Sequence, residues 1–368
     1  MSKTVVSLAL LLGIFVVPTS AFGLPELLEK LWPKETGQVF DTVARIPYNE
    51  LLNDNPYVDP FIVHSMKNFG FFYVVDVPDY DASVEDEYLQ QFFNLPEKVK
   101  ADTEIKRHNP ANKNAYRGYC PGLDDVEATL QYKEVFNIGP HETRAPFYDD
   151  SLSNDLEKLK YECSEANVWP ETDNCTFDKG FKEVFQTGFD MRRNIARAFV
   201  RSISRALGFP NLPSLFSEDE FSAMGLRRYP VRSERTNKNM FSDFDGELLR
   251  ELEHIDSTVT VLSTFNNGGL QMLYKNQYMN APVTGDNAFL VNIGKLVEDI
   301  IDNQLISVRH RVIETAYTRH SITYFLGPAF DADISRSMTG YITEAGHKYR
   351  IFGEWIKDYL GAIELFYY

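Results

Sequence analysis

Three side chains in the C-terminal half have the types and spacing of a mononuclear metal site. His254 and Asp256 are separated by one residue, and His310 follows much later in the chain. Two imidazoles and one carboxylate hold non-haem Fe(II) while leaving coordination positions open for substrate and oxygen. Positions i and i+2 of a strand point to the same side. We therefore expect His254 and Asp256 to bind one ion from one strand, with His310 supplied by a distant strand.

A second pattern with the same spacing lies in an apolar segment nearer the C-terminus. Arg319 and Ser321 flank His320, which should face the opposite side of a strand. A forked guanidinium and a hydroxyl on one face suit a single carboxylate. Because a buried guanidinium without a partner is costly, this pattern predicts an anion site.

Short segments along the chain resemble those of the isopenicillin N synthase-like group of Fe(II)/2-oxoglutarate-dependent dioxygenases. They follow the expected order and span nearly the whole chain after its first 21 residues. They lie at residues 68–75, 92–100, 116–119, 133–136, 167–170, 228–230, 268–271 and 291–294. Each segment alone is a weak signal, but the ordered set ends in the metal and Arg-x-Ser patterns and is specific.

This resemblance implies an α+β fold with a double-stranded β-helix (jelly-roll) core, flanking helices and a helical N-terminal region. It places His254 and Asp256 at the start of one core strand and His310 near the opposite end of the sheet pair. The implied cofactors are Fe(II), O2 and 2-oxoglutarate as cosubstrate. Arg319, Ser321 and Tyr229 would hold the 2-oxoglutarate.

The resemblance also implies an enzyme that oxidises an unactivated C–H bond of a small organic substrate in secondary metabolism. Hydroxylation, desaturation and oxidative cyclisation all remain open. One alternative is a kainoid-synthase-like cyclase of a prenylated amino acid. Another is an oxidase like isopenicillin N synthase itself, which uses its Arg-x-Ser pair for the substrate's carboxylate and does not use 2-oxoglutarate.

Two alternatives lie outside this class. The same His-Asp-His set could hold zinc in a hydrolase, or the fold could belong to a binding protein without catalysis. Neither would need Arg319 and Ser321, so their presence argues against both. Further arginines suggest a carboxylate-bearing substrate: Arg227, Arg228, Arg232 and Arg235 near Tyr229, and Arg309 and Arg311 on either side of His310.

The predicted secondary structure that positions these residues changes along the chain from mainly helices to mainly strands. Helical spacing of apolar residues predicts helices over 60–69, 84–93 and 181–207. Short runs rich in β-branched and aromatic residues predict strands over 259–265, 270–274, 288–293, 306–313 and 321–326. Residues 348–360 return to helical spacing. We expect a mostly helical region at 40–210, a jelly-roll core at 220–330 and a helical tail at 331–368.

Composition supports one large core and a small-molecule partner. The chain contains 27 Phe and 20 Tyr, and its 37 basic and 53 acidic side chains give a net charge of -16. Such a charge repels nucleic acid at long range, so nucleic-acid partners are not expected. We expect a monomer.

The N-terminus has the order of a cleavable signal peptide. Lys3 precedes an apolar stretch that ends in Pro18, Thr19, Ser20 and Ala21. We therefore predict a leader at residues 1–21, entry into the secretory pathway (secreted or lumenal) and no stable membrane association after cleavage. Phe22 at the cleavage point also resembles import signals for the plastid of an alga with complex plastids, which is the alternative.

An oxidising compartment would change how the cysteines behave. Cys163 and Cys175 could close a disulfide loop worth roughly 3 kcal/mol. Asn174 opens an Asn-Cys-Thr glycosylation sequon. Cys120 would be left over.

Overall fold

A twelve-stranded core of two β-sheets dominates the structure, a computed structural model that describes residue 40 and residues 42–121, 133–141, 153–216, 220–231 and 246–367. The larger sheet has eight strands in the order β1-β2-β10-β7-β12-β5-β4-β3, and the smaller has four in the order β6-β11-β8-β9. The larger sheet consists of β1 (Arg45–Pro47), β2 (Phe71–Val75), β3 (Gly118–Cys120), β4 (Glu134–Ile138), β5 (Ala223–Tyr229), β7 (Val259–Ser263), β10 (Ala288–Ile293) and β12 (Arg319–Leu326). The smaller consists of β6 (Leu249–His254), β8 (Leu270–Tyr274), β9 (Gln277–Asn280) and β11 (His310–Ile313).

Alternate residues of the central strands belong to two different cores. On β2, Phe72 and Val74 join the larger hydrophobic cluster, whereas Phe71 and Tyr73 join the smaller one. Strand β10 is likewise buried along its whole length. Because successive side chains point to opposite faces of a strand, an almost continuous apolar sequence places this sheet between two packed layers.

Helices cover the larger cluster. Their bounds are α1 (Tyr48–Leu52), α2 (Asp59–Asn68), α3 (Ala82–Phe93), α4 (Glu97–Ala101), α5 (Asn154–Cys163), α6 (Cys175–Leu207), α7 (Lys295–Ile300) and α8 (Phe352–Tyr367), with 3-10 turns at Leu212–Phe216 and Ala345–His347. The longest, α6, begins where the Asn174 side chain accepts a hydrogen bond from the Phe177 amide. It ends at Gly208, whose φ of 78° is left-handed.

A buried ion pair ties two of these helices to the sheet. The Arg192 guanidinium on α6 donates to both carboxylate oxygens of Glu85 on α3, at 2.8 and 2.7 Å. It also donates to Ser263 Oγ on β7 at 2.7 Å. Both charged side chains are almost fully buried. This bidentate contact fixes α3 and α6 against β7, the strand that follows His254 and Asp256 in the chain.

The predicted elements agree best where the sequence period is clear. The strands over 270–274 and 288–293 are confirmed to the residue, and the helix predicted from 181 begins earlier, at Cys175. The strand predicted from 306 begins only at His310, and the tail helix begins at Phe352 rather than at 348. The region 40–210 holds the helices α1 to α6, but it also supplies β1 to β4, which complete the larger sheet.

The disulfide that the sequence suggested is not present in the structure, in which Cys120, Cys163 and Cys175 are not bridged. Cys163 is buried in the larger hydrophobic cluster at the end of α5, whereas Cys175 is exposed in the first turn of α6. One thiol is packed in the core and the other faces solvent. Asn174 is exposed, and its glycosylation stays a prediction.

The leader lies outside the described residues. Among the helices that are described, none is long and apolar enough to cross a membrane.

Candidate metal centre

His254, Asp256 and His310 converge at one point. Their candidate ligand atoms all lie within 4.8 Å of one another. Asp256 Oδ1 is 3.9 Å from His254 Nε2 and 3.7 Å from His310 Nε2. One ion can therefore contact two imidazoles and one carboxylate, the donor set that suits Fe(II) with open positions.

The backbone brings these ligands together differently from the strand geometry that we expected. His254 is the last residue of β6, and Asp256 lies in the connection to β7, so the pair is not at the start of a core strand. His310 opens β11 and pairs directly with His254 across the ladder, not near the opposite end of the sheet pair. The chain leaves the smaller sheet after His254 to enter the larger one, and Asp256 is on that crossing.

Backbone carbonyls orient both imidazoles. Nδ1 of His254 lies 2.8 Å from the Leu252 carbonyl oxygen, and Nδ1 of His310 lies 3.1 Å from that of Val308. A carbonyl only accepts, so each Nδ1 carries the proton and each Nε2 presents its lone pair to the centre. Burial lowers the pKa of His254, and the neighbouring His310 lowers it further. The neutral form that binds metal is favoured.

The Asp256 carboxylate is held by one oxygen and presented by the other. Oδ2 accepts from Asn292 Nδ2 at 2.7 Å and from Thr260 Oγ1 at 2.8 Å. Thr260 and Asn292 are themselves directly paired across β7 and β10. Burial raises the pKa of Asp256, but His310, His254 and these two hydrogen bonds outweigh it and hold the pKa below its usual range. The anionic form is favoured, and Oδ1 faces the histidines.

A close backbone approach fixes Asp256 from behind. The amide of Lys295 donates to the Asp256 carbonyl at 2.9 Å. A Cβ at Gly294 would lie only 2.2 Å from that carbonyl oxygen, so glycine is required there. Residues 291–294 supported the family resemblance, yet the sequence alone assigned no role to Asn292, Gly294 or Thr260. A polar amide in an otherwise apolar strand is the signal that could have found Asn292.

A buried guanidinium lies beside the metal ligands, as expected. Arg319 is 1% exposed, and its Nε donates to the Gly268 carbonyl at 3.0 Å. Its Nη1 is buried without a hydrogen-bond partner, and burial lowers the pKa of this group. Arg319 and Ser321 line a small cavity of about 40 Å³ together with the three metal ligands. An orphaned donor in this cavity fits the far carboxylate of a dicarboxylate chelated to the metal.

Tyr229 lies in the same cavity but already has a partner. It pairs with Arg319 across β5 and β12, and the Arg319 guanidinium carbon is 5.0 Å from its ring centroid. Its hydroxyl donates to Glu251 Oε2 at 2.8 Å, and Lys133 Nζ donates to the other Glu251 oxygen at 2.5 Å. Sequence reasoning missed Lys133 and Glu251. Cosubstrate binding by Tyr229 stays a prediction.

A larger cavity of about 440 Å³ adjoins the metal site. His320 does not line this cavity. Its side chain faces away from the metal site, as expected, and its Nδ1 lies 2.9 Å from the Asp86 carboxylate. Five residues line both the small and the large cavity: Arg227, Glu251, His254, Asp256 and Phe325. The open side of the metal site therefore leads into a space that can hold an organic molecule.

Comparison with known proteins agrees with this site. Residues 222–328 match the profile of the 2OG-Fe(II) oxygenase superfamily, and residues 58–172 match the N-terminal profile of non-haem dioxygenases in morphine synthesis. Isopenicillin N synthase of Streptomyces clavuligerus is 24% identical over 307 residues, covering 80% of this chain and 86% of the relative. Gibberellin 2-beta-dioxygenase 2 of Arabidopsis thaliana is 23% identical over 286 residues, covering 76% and 74%.

Solved structures share the fold. A Neurospora crassa protein, crystallised at full length with alpha-KG and 5-formyluracil, aligns with a TM-score of 0.65 at 23% identity, over 91% of this chain and 99% of its own. JOX2, crystallised with 2OG, Fe and JA, aligns with a TM-score of 0.61 at 19% identity, over 87% and 84%. The jelly-roll expectation is confirmed. The chain belongs to the 2-oxoglutarate- and Fe(II)-dependent oxygenase superfamily, and its fold carries the His-Asp-His set that this chemistry needs.

Proposed function

We propose that this oxygenase oxidises an unactivated C–H bond of a small organic substrate in secondary metabolism, with 2-oxoglutarate as cosubstrate. The observation that carries the proposal is the shared cavity of the three metal ligands and the orphaned Nη1 of Arg319. Bound Fe(II), together with 2-oxoglutarate and O2, supplies the oxidising power at this site. Relatives named as isopenicillin N synthase and gibberellin 2-beta-dioxygenase support a small-molecule substrate.

Different residues of the chain would hold the metal, the cosubstrate and the substrate. His254, Asp256 and His310 would hold the iron, and Asn292 and Thr260 hold the other Asp256 oxygen by hydrogen bonds. Arg319 and Ser321 would bind the far carboxylate of 2-oxoglutarate in the small cavity. The substrate would lie in the larger cavity, which His254 and Asp256 also line.

Arg227 supports a substrate that carries a carboxylate. It lines both cavities, and its guanidinium carbon lies 5.7 Å from the Phe325 ring centroid. A cation at this junction would orient an anionic group next to the metal. Two other arginines that the sequence singled out contact acids away from this junction: Arg228 with Glu134 at 3.2 Å and Arg309 with Glu253 at 2.6 Å.

The first experiment is an anaerobic titration of the leaderless protein with Fe(II) and then with 2-oxoglutarate. The visible charge-transfer band of the chelate should appear, and it should be lost in Asp256→Ala. Iron-loaded protein that shows no band would refute the cosubstrate assignment and favour an oxidase of the isopenicillin N synthase type. Substrate screening would then start with amino-acid-derived carboxylates, and the products would separate hydroxylation, desaturation and ring closure.

We also propose that residues 1–21 direct the chain into the secretory pathway. The proposal rests on the basic, apolar and small-residue order of the leader. Expression of the full chain with a C-terminal fluorescent tag, followed by mass spectrometry of the mature N-terminus, tests it. Cleavage near Ala21 supports the leader, and an intact N-terminus contradicts it. Plastid fluorescence in an alga with complex plastids would support the alternative destination.

A further inference from the structure

We propose that the C-terminal helix α8 is a wall of the substrate site, and that Ile356 and Tyr359 determine specificity by contacting a hydrocarbon part of the substrate. This inference rests on the proposed function, since it concerns the substrate of the same metal centre. It assigns a binding role to a helix that contributes no metal or cosubstrate ligand among its described residues.

One face of α8 lines the larger cavity. Phe352, Ile356 and Tyr359 recur at the spacing that places side chains on one side of a helix, and all three line this space. Lys357, by contrast, is exposed. Ile255, which lies between two metal ligands in the chain, lines the same cavity. The apolar face of α8 and the metal ligands therefore bound one continuous space.

Contacts at its start hold the helix in place without a substrate. The amide of Phe352 donates to the Ala332 carbonyl at 2.9 Å, and the amide of Gly353 donates to the Phe330 carbonyl at 2.8 Å. A Cβ at Gly353 would lie 2.3 Å from the Phe330 ring, so the helix meets this segment closely. Packing against the chain that follows β12 therefore sets the position of α8 and preforms the wall.

Ring stacking along α8 holds the aromatic part of the wall. Trp355 stacks on Phe352 and on Tyr359, with ring centroids 6.0 and 5.1 Å apart. These contacts limit the positions that the Tyr359 ring can adopt next to the cavity.

The two ends of the cavity differ in chemistry. None of the described residues of α8 lines the small cavity, so this helix lies away from the junction where Arg227, Glu251 and Asp256 are shared. At the α8 end the lining is mainly apolar and includes Phe221, Phe352, Ile356, Tyr359 and Leu360. A volume of about 440 Å³ is in the usual range for an organic ligand. The site therefore suits an amphipathic molecule with its polar end at the metal and its hydrocarbon end against α8.

A homologous series of straight-chain alkanoates tests this assignment. Butanoate to dodecanoate are titrated by calorimetry into the anaerobic Fe(II) and 2-oxoglutarate complex. Affinity should rise by about fourfold per methylene until the chain reaches α8, and then level off. Ile356→Ala should move this plateau to longer chains, and Ile356→Trp should move it to shorter ones. Lys357→Ala, on the exposed side of the same helix, should leave the series unchanged.

Several outcomes would overturn the assignment. Affinity that is independent of chain length in the unmodified protein would do so. A plateau at the same chain length in Ile356→Ala, Tyr359→Ala and Lys357→Ala, all with unchanged circular dichroism, would also do so. The two alanine variants at the cavity decide the matter even where Ile356→Trp does not fold. If the unmodified protein shows no charge-transfer band with Fe(II) and 2-oxoglutarate, the proposed function itself is refuted.

Equal-length n-alcohols probe the polar end separately. Weaker binding of the alcohols, with the same plateau, supports an anion contact at Arg227 and leaves the α8 wall intact. A plateau that differs between alcohols and alkanoates would contradict a common hydrocarbon site.

Discussion

The hydrogen bonds to Asp256 Oδ2 should control iron affinity, although neither donor touches the metal. Asn292 and Thr260 donate at 2.7 and 2.8 Å, and both side chains are buried. Thr260→Val removes its donor with little change of shape, and Asn292→Leu removes the amide. Each change leaves the carboxylate with one donor and more freedom to rotate its second oxygen toward the metal.

The magnitude follows from the charge on the acceptor. A hydrogen bond to a charged group contributes about 1.5–3 kcal/mol, and about 1.4 kcal/mol corresponds to a tenfold change in an equilibrium constant. Each variant should therefore weaken Fe(II) binding by about 10- to 100-fold, as is usual for groups that orient a metal ligand. The double variant should lose more than either single one, because the remaining donor compensates in part.

The assay is anaerobic competition for Fe(II) against a chromophoric chelator, with thermal unfolding of the metal-free protein measured alongside. Thr264→Val is the matched control. Thr264 is buried and directly follows β7, the strand that carries Thr260, but its hydroxyl accepts from the Thr284 amide and does not contact Asp256. The control should lower the melting temperature without changing iron affinity. Iron affinity within about twofold of the unmodified protein in both Thr260→Val and Asn292→Leu would refute the reasoning.

Neighbouring contacts give three further predictions. Arg319→Ala should raise the 2-oxoglutarate concentration needed for half-maximal charge-transfer absorbance by at least about 10-fold while iron binding stays unchanged; an equal loss of both would show that Arg319 supports the fold rather than the anion. Lys133→Met should lower the free energy of unfolding in urea by about 3–5 kcal/mol, because Glu251 then keeps a buried charge without this ion-pair partner. Adding Glu251→Gln should recover much of this loss. Losses that simply add in the double variant would contradict the pairing. Gly294→Ala should reduce iron occupancy, measured by metal analysis, because its Cβ would collide with the Asp256 carbonyl; full occupancy would show that the backbone yields there.

The Glu251 pair also predicts a pH dependence. Burial raises the pKa of Glu251, but Lys133, His254 and Arg227 hold it well below the ordinary value of 4.5. A group with a depressed pKa stabilises the fold above its unfolded pKa and loses that contribution as pH falls through the folded value. The free energy of unfolding should therefore fall below about pH 4.5 less steeply in Glu251→Gln than in the unmodified protein. Parallel curves would contradict this.

The sequence was most informative where residue type alone limits the chemistry. His254, Asp256 and His310 have the side chains of an iron site, and Arg319 with Ser321 has the period of a strand face, so residue type and spacing, together with the family resemblance of the surrounding segments, predicted the set. The strand bounds at β8 and β10 were predictable because each apolar run ends at turn-forming residues. The placement of Asp256 was not, since a spacing of two fits both a strand and the crossing between two sheets.

What the sequence could not show was the register between strands. Each layer of the centre is a cross-strand pair: His254 with His310, Thr260 with Asn292, and Tyr229 with Arg319. The partners are far apart in the chain, so no local pattern links them. A shift of one residue in any ladder would turn a functional side chain to the opposite face.

Strand register fixes the side chains of the metal centre, whereas the proposed substrate wall at α8 does not depend on it. Thr260 and Asn292 lie on β7 and β10, whose residues are all buried, and the Arg192–Glu85 pair fixes two helices against the same sheet. The side chains that hold the Asp256 carboxylate are therefore anchored in a fully buried part of the fold. The wall at α8 is attached after the last core strand, where changes such as Ile356→Ala reshape the cavity without altering any ladder. Selectivity for the substrate can thus change independently of the iron centre, and the alkanoate series should shift its plateau while the charge-transfer band stays constant.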